Sequence, residues 1–409
     1  MSEDIFLIDD LKIYTYNELF SDIAIENYYY PLLKTNSLYD FFKNLIKAIS
    51  SNSSITLLDS DLSEPELTSL SNSEINMKVS VDPFLFLSHK ELVDKFKNSC
   101  SEITLFTSGT TGQPKKVSHS YSTLSRNSRV AEKYKGHIWA FAYNPTHMAG
   151  LQVFFQAFLN CNILINVFGK DRNFIYSQIN KFLITHISAT PTFYRLLLPF
   201  ENQYMCVERI TFGGEKSDIK LYSSIQQIFP NAKINNIYAS TEAGSLFSTY
   251  GELFKIPDNI KKLVKIQDNE ILIHKSLLGY SESFIFEDGF YRTNDLIEWE
   301  NESKGLFRFK NRKNELINVG GYKVNPSEIE CEILKIEGIQ QALVYGRKNS
   351  ILGNILCADI QLISNQENSI SEKDIKRQLS INLQDFKIPR IIKFVDTISM
   401  TRTGKIKRT

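Results

Sequence analysis

The chain has 409 residues, 42% of them hydrophobic, and its 47 lysines and arginines stand against 46 aspartates and glutamates. A formal charge of +1 leaves no basic excess to neutralise the phosphates of a nucleic acid, so none is expected as a partner. No stretch approaches the roughly 18 apolar residues of a membrane-spanning helix, and the opening MSEDIFLIDD is acidic where a secretory leader is positive, so no membrane span and a cytoplasmic location are expected.

Taken along the chain, the segment Ser60 to Ser73 has little periodicity and reads as loop. From Leu105 to about Tyr238, short apolar runs alternate with longer amphipathic stretches: HIWAFAY, then His147 to Asn160, then NILINVF. The runs at 186–190, 208–212 and 233–238 are separated by segments of helical length such as Ser217 to Phe229, which predicts α/β layers of mostly parallel strands. After Thr249 the pieces become short and β-like, with KLVKI, EILIHK and GLFRFK between turn signals, so a β-rich subdomain is expected over about 250–312. From about Lys313 the pattern is a compact α+β unit: helix from Pro326 to Ile336, strands ALVYG and CADIQLI, and helix SEKDIKRQLSINL. The division expected is an N-terminal domain, 1–312, and a small C-terminal domain, 313–409. The five cysteines have no CxxC spacing and the six histidines no metal-ligand spacing, so the cysteines read as reduced core residues.

The segment richest in chemistry is Leu105 to Lys115, an apolar strand running into hydroxyls and glycines and ending in a lysine. Gly109 and Gly112 let backbone N–H groups approach an anion, Thr107, Ser108, Thr110 and Thr111 offer hydroxyls, and Lys115 brings positive charge. It is not a Walker A loop, because Pro114 stands five after Gly109 and no Gly-Lys-Ser/Thr follows. Composition alone also allows a plain surface loop.

The whole string resembles the phosphate loop of the adenylate-forming superfamily: acyl- and aryl-CoA synthetases, adenylation domains of peptide synthetases, and luciferases. Further motifs follow in that family's order. Asn235 to Glu242 resembles its Tyr-Gly-x-Thr-Glu segment, with Ala239 in the glycine position. The resemblance implies that Tyr238 offers adenine a flat face, Thr241 meets the α-phosphate, and Glu242 is an oxygen ligand for Mg²⁺. Phe212-Gly213-Gly214-Glu215 looks like the segment whose backbone passes along adenine and acyl group. Tyr291 to Asp295 resembles a Thr-Gly-Asp step with Asn294 for glycine, implying that Asp295 accepts both ribose hydroxyl protons. Lys310 to Glu330 is similar to the hinge and first lid loop: Arg312 matches the ribose-contacting arginine, Asn314 the pivot and Asn311 a glycine, while Gly320 and Gly321 would let a pantetheine arm pass. Thr401-Arg-Thr-Gly-Lys405 resembles the closing motif whose lysine contacts the α-phosphate and the carboxylate.

The resemblance implies an ATP- and Mg²⁺-dependent ligase with a mobile lid, which activates a small-molecule carboxylic acid as an acyl-AMP and passes it to a thiol, CoA or the phosphopantetheine of an acyl carrier protein. Lys405, Glu242, Thr241 and His147 are the expected catalytic residues. Tyr143 to Gly150 lacks the Asp with which peptide-synthetase domains pair an amino group, so an acid without an α-ammonium is expected. His147 resembles the histidine of a Pro-x-x-His segment lining the acyl pocket; alone it would be an ordinary helix-start residue. Phe154 and Phe155 read as core, and Phe141 as pocket wall or core. Only 106 residues precede Thr107, fewer than in most relatives, which implies an abbreviated N-terminal subdomain. Transfer to a dedicated carrier protein or an amine is the alternative activity, and a non-catalytic nucleotide-binding homologue the alternative class.

Overall fold

Short aliphatic runs such as ILIN and HISA place successive side chains on opposite faces, and in the computed structural model they lie side by side in one sheet with both faces covered. The structure describes residues 4–62, 67, 75–82, 88–107, 115–319, 322–349, 353–363 and 370–400. The eight strands run in the spatial order Gly244–Thr249, Lys233–Ser240, Arg209–Gly213, His186–Ala189, Ile138–Phe141, Ile163–Asn166, Ile5–Asp9 and Lys12–Thr15. The six inner strands are parallel and the two edge strands antiparallel. Leu164 belongs to one core and its neighbour Ile165 to the other, so the sheet divides two hydrophobic layers.

The core on one face takes the helices Tyr16–Ile25, Leu38–Ser50 and Met148–Phe158, and that on the other Arg172–Phe182 and Ile219–Ile228. Polar side chains set where four of these helices begin: Thr15 and Glu18 form a capping box, and Ser37, Asp171 and Asp218 each accept a backbone N–H of the first turn. The helix Leu38–Ser50 is buried on nearly all sides. It even encloses Lys47, whose Nζ donates to the Ile23 carbonyl at 2.7 Å and whose pKa burial lowers. Phe141, Phe154 and Phe155 are fully buried, and Phe154 stacks on Phe42 with ring centroids 4.3 Å apart. All three are core.

A second sheet joins Leu32–Lys34, Ile55–Leu58 and Glu102–Thr107 in parallel, with Lys115–Ser120 antiparallel at its edge. A third, antiparallel, contains Val264–Gln267, Glu270–His274, Phe286–Glu287, Phe290–Asn301 and Leu306–Arg312, which is the β-rich region expected after Thr249. C-terminal to it, the strands Ile339–Asn349, Gly353–Leu362 and Ile391–Phe394 pack against the helices Pro326–Leu334 and Glu372–Asn382 around a core of their own. This C-terminal unit touches the rest of the chain where Lys220 Nζ donates to the Leu334 carbonyl (2.8 Å) and Gln340 Nε2 to the Leu198 carbonyl (3.2 Å). The expected helix to Ile336 ends at Leu334. Most of Ser60 to Ser73 lies outside the described residues. Among the described residues no helix is long and apolar enough to cross a membrane.

In the central sheet the connection from Ile138–Phe141 goes to a strand on one side, and the chain then returns to His186–Ala189 on the other. Such a reversal opens a crevice beyond the carboxyl ends of the two strands. His147 follows the first of them, and Thr190 and Thr192 the second.

Candidate active site

The carboxyl ends of three parallel strands gather most of the described residues marked out by the sequence. Gly213, Gly214 and Glu215 end or follow Arg209–Gly213, and Thr241 and Glu242 follow Lys233–Ser240. Gly213 passes the Tyr143 hydroxyl so closely that a Cβ there would sit 3.1 Å from it, and Gly214 has φ +84°, which favours glycine. Glu215 reaches across to the neighbouring strand end, where its Oε2 accepts the Thr192 N–H at 3.0 Å and the Thr192 hydroxyl at 2.7 Å. It braces the two strand ends together.

Tyr238, Asp295 and Arg312 form one network. The Tyr238 hydroxyl donates to Asp295 Oδ2 at 2.7 Å, and Arg312 Nε donates to Oδ1 at 2.6 Å. Burial opposes the charge on Arg312, but the Asp295 carboxylate outweighs it and the pKa rises, so the guanidinium stays charged. Burial, with Asp295 second, pushes Tyr238 well above the usual phenol range, so its hydroxyl remains a donor. The Tyr238 ring is buried and stacks on Phe309 (4.5 Å) and Phe247 (5.0 Å). This corrects the expectation of an open aromatic face: what Tyr238 presents is chiefly its hydroxyl, aimed at Asp295. Each Asp295 oxygen keeps lone pairs beyond its one protein donor.

Asn294 has φ +63°, the left-handed region that glycine and then asparagine tolerate best. That explains why the glycine position of the motif takes Asn here. Its N–H donates to Glu270 Oε1 at 2.9 Å, while Arg292 Nη1 donates to Glu270 Oε2 at 2.9 Å. Glu270 is buried and holds the turn that carries Asp295. Ala239 is not among the residues of positive φ, so the backbone sign does not demand a glycine there.

Thr241 and Glu242 are anchored through their carbonyls. His119 Nε2 donates to the Thr241 carbonyl at 2.8 Å, and the Gly279 N–H to that of Glu242 at 2.8 Å. His119 is buried, and desolvation pushes its pKa down to about 4. Because His119 and Lys115 share the strand Lys115–Ser120, it ties the Thr241-Glu242 turn to the edge strand that pairs with Glu102–Thr107. The Glu242 carboxylate, with burial the larger cause, helps push Tyr291 up to about 12. Among the described residues no group of three His, Cys, Asp or Glu side chains could cage a metal. A single carboxylate suits Mg²⁺, which takes one or two carboxylates together with substrate phosphates and water.

His147 caps the helix Met148–Phe158, with Nε2 3.6 Å from Asp59 Oδ1. The residues Ser108, Gly109, Thr110, Thr111, Gly112, Gly320, Gly321 and Lys405 lie outside the described residues, and of Thr107, Asn311 and Asn314 only the backbone is described. Sequence reading missed His119, Gly279, Glu270 and Asp59. None carries a motif signal, since each acts through a neighbour distant in the chain.

The chain is similar to known proteins. The family model for AMP-binding enzymes matches residues 43–268, and that for the AMP-binding enzyme C-terminal domain matches 328–405. The chain is 25% identical over 342 residues to 2-succinylbenzoate–CoA ligase of Staphylococcus epidermidis, covering 77% of this chain and 70% of that protein. It is 27% identical over 372 residues to D-alanine–D-alanyl carrier protein ligase of Staphylococcus aureus, covering 81% and 74%. The crystal structure of ATP-bound MatB from Rhodopseudomonas palustris superposes with a TM-score of 0.74 at 16% identity, covering 99% of this chain and 94% of that one, which shows a shared fold. With both family models matched in order along a fold of this kind, the chain belongs to the adenylate-forming superfamily of AMP-binding enzymes.

Proposed function

We propose that this chain is an AMP-forming acid–thiol ligase that joins a carboxylic acid to ATP as an acyl-AMP and then transfers the acyl group to a thiol. The observation that carries the reading is the Tyr238–Asp295–Arg312 network beside Thr241 and Glu242. A carboxylate held between a neutral and a charged donor is oriented to accept the two hydroxyl protons of a ribose. In the first half-reaction a carboxylate oxygen of the acid bonds to the α-phosphorus and the bond to the bridging oxygen of pyrophosphate breaks. The obstacle is anion meeting anion, so preorganised cations and dipoles supply the catalysis.

Arg312 and Asp295 hold the nucleotide, Lys115 and the loop amides meet the terminal phosphates, and the Thr241 hydroxyl the α-phosphate. Glu242 would hold Mg²⁺, which when bound with ATP neutralises phosphate charge. Lys405 meets the charge developing at the α-phosphate. The second half-reaction forms a carbon–sulfur bond as AMP leaves with the electron pair, and the thiol needs a path past Gly320 and Gly321. The chain would divide into residues 1–312 and 313–409, the second part turning as a lid after adenylation.

CoA is the acceptor we favour; the likeness to a D-alanyl carrier protein ligase supports an acyl carrier protein as the second candidate. Pyrophosphate release should be measured with ATP and Mg²⁺ over fatty, aryl and amino acids, with and without CoA. Release that depends on one acid class and rises with CoA is expected, whereas ATP binding with no release for any acid would favour a non-catalytic homologue. Lys405→Ala should bind ATP normally and lose at least about a hundredfold in adenylation rate, since the lysine acts on the transition state.

A further inference from the structure

The segment that follows Ile138–Phe141 is held by a residue from a different sheet. Asp59 directly follows Ile55–Leu58, and its Oδ1 accepts from Asn144 Nδ2 at 2.7 Å and from Thr146 Oγ1 at 2.5 Å. His147 Nε2 lies 3.6 Å from the same oxygen, outside hydrogen-bond range but within that of an ion pair. The side chains of Asp59 and His147 are only 13% and 12% exposed. Asn144 is locked in turn, because its Oδ1 accepts the Thr146 N–H at 3.0 Å and its carbonyl accepts the His147 N–H at 3.2 Å. Two fixed donors therefore hold one carboxylate against the imidazole edge, between segments more than eighty residues apart.

We infer that Asp59 is the positioning residue for His147 and, through it, for the carboxylate of the acid substrate. The inference rests on the ligase reading and adds a residue from the N-terminal part of the chain to its acid-binding side. A carboxylate within ion-pair reach of one imidazole nitrogen favours a proton on that nitrogen through its charge and so biases the ring's tautomer. Within a largely buried crevice its charge also acts over little screening water. Asp59 could instead serve only to cap the 144–147 turn. The isosteric Asp59→Asn separates the two roles, because its amide oxygen can still accept from Asn144 and Thr146 while the charge is gone.

The test is a cycle of Asp59→Asn, His147→Ala and the double variant, read by initial rates of pyrophosphate release, by thermal melting, and by side-chain ¹⁵N spectra of the histidines with His147 assigned from its own variant. Asp59→Asn should lower kcat/KM for the acid about tenfold, change the KM for ATP less than about twofold, and be no worse when added to His147→Ala. It should also shift the His147 ring resonances while the melting temperature stays within a few degrees. Additive losses, or His147 resonances unchanged by Asp59→Asn, would overturn the inference. If the unaltered protein releases no pyrophosphate with any acid, the ligase reading fails, and the spectra still decide whether Asp59 sets the histidine.

Discussion

Asp295 receives one neutral and one charged donor, and the consequences of removing it differ from those of removing either donor. Asp295→Ala strands the Tyr238 hydroxyl and leaves Arg312 without its counter-charge. The expected cost is about 1–3 kcal/mol of stability, seen in urea melts, with a KM for ATP raised about tenfold or more in initial-rate assays. An unchanged KM would remove Asp295 from the nucleotide site. Gly279 poses a steric question instead. A Cβ there would lie 2.4 Å from His119 Cε1 and 2.7 Å from the Ser118 carbonyl oxygen, a backbone atom in a paired strand that cannot swing away. Gly279→Ala should cost about 1–3 kcal/mol in the same melts and slow adenylation, because the His119 and Gly279 contacts fix the carbonyls of Thr241 and Glu242. Wild-type stability in that variant would show that the two segments can separate at no cost.

The helix Met148–Phe158 links the proposed acid side of the site to the core. Its first turn carries His147 and Met148, Gln152 accepts the Ser245 hydroxyl at 2.7 Å, and Phe154, Phe155 and Phe158 are fully buried. Phe154 packs between this helix and Leu38–Ser50, so Phe154→Ala opens a cavity that the surrounding rings cannot fill. A loss of about 3–5 kcal/mol is expected by denaturant unfolding. At this scale the chain was largely legible: the amphipathic stretch from His147, the parallel strands and the two C-terminal helices stand where their periodicity put them. The strands Ile5–Asp9 and Lys12–Thr15 were not read, although they complete one side of the central sheet. Ile5–Asp9 sends Phe6 and Leu7 into one core layer and Ile5 and Ile8 into the other, with a register shift against Lys12–Thr15, and so short and irregular a run gives a weak local signal.

For the molecule as a whole, desolvated histidines make stability fall as the pH falls. Desolvation pushes His119 down to about 4 and His186 to about 3, and lowers His137, whose ring stacks on His186 at 4.1 Å. These groups are harder to protonate folded than unfolded, so the unfolded chain binds more protons as the pH falls. Their contribution is therefore fully present above about pH 6.5 and is lost progressively as the pH drops through the range toward 4 and 3. Urea midpoints should fall between pH 7 and pH 5, and His186→Gln should make that fall shallower. A midpoint constant over this range would mean that the histidines are hydrated in the folded state.

The sequence by itself determined the layered α/β class, the family and most of the residues proposed for the nucleotide site, because hydrophobic period and local motif are both written within a few neighbouring residues. Tertiary structure alone decided that Tyr238 turns its ring into the core, that Asn294 fills a left-handed position, and that Asp59, His119, Glu270 and Gly279 hold the site. These last four lie far along the chain from the atoms they fix. Their roles arise from which strand ends the fold brings together, and a contact between distant segments leaves no periodic or motif trace in a single chain.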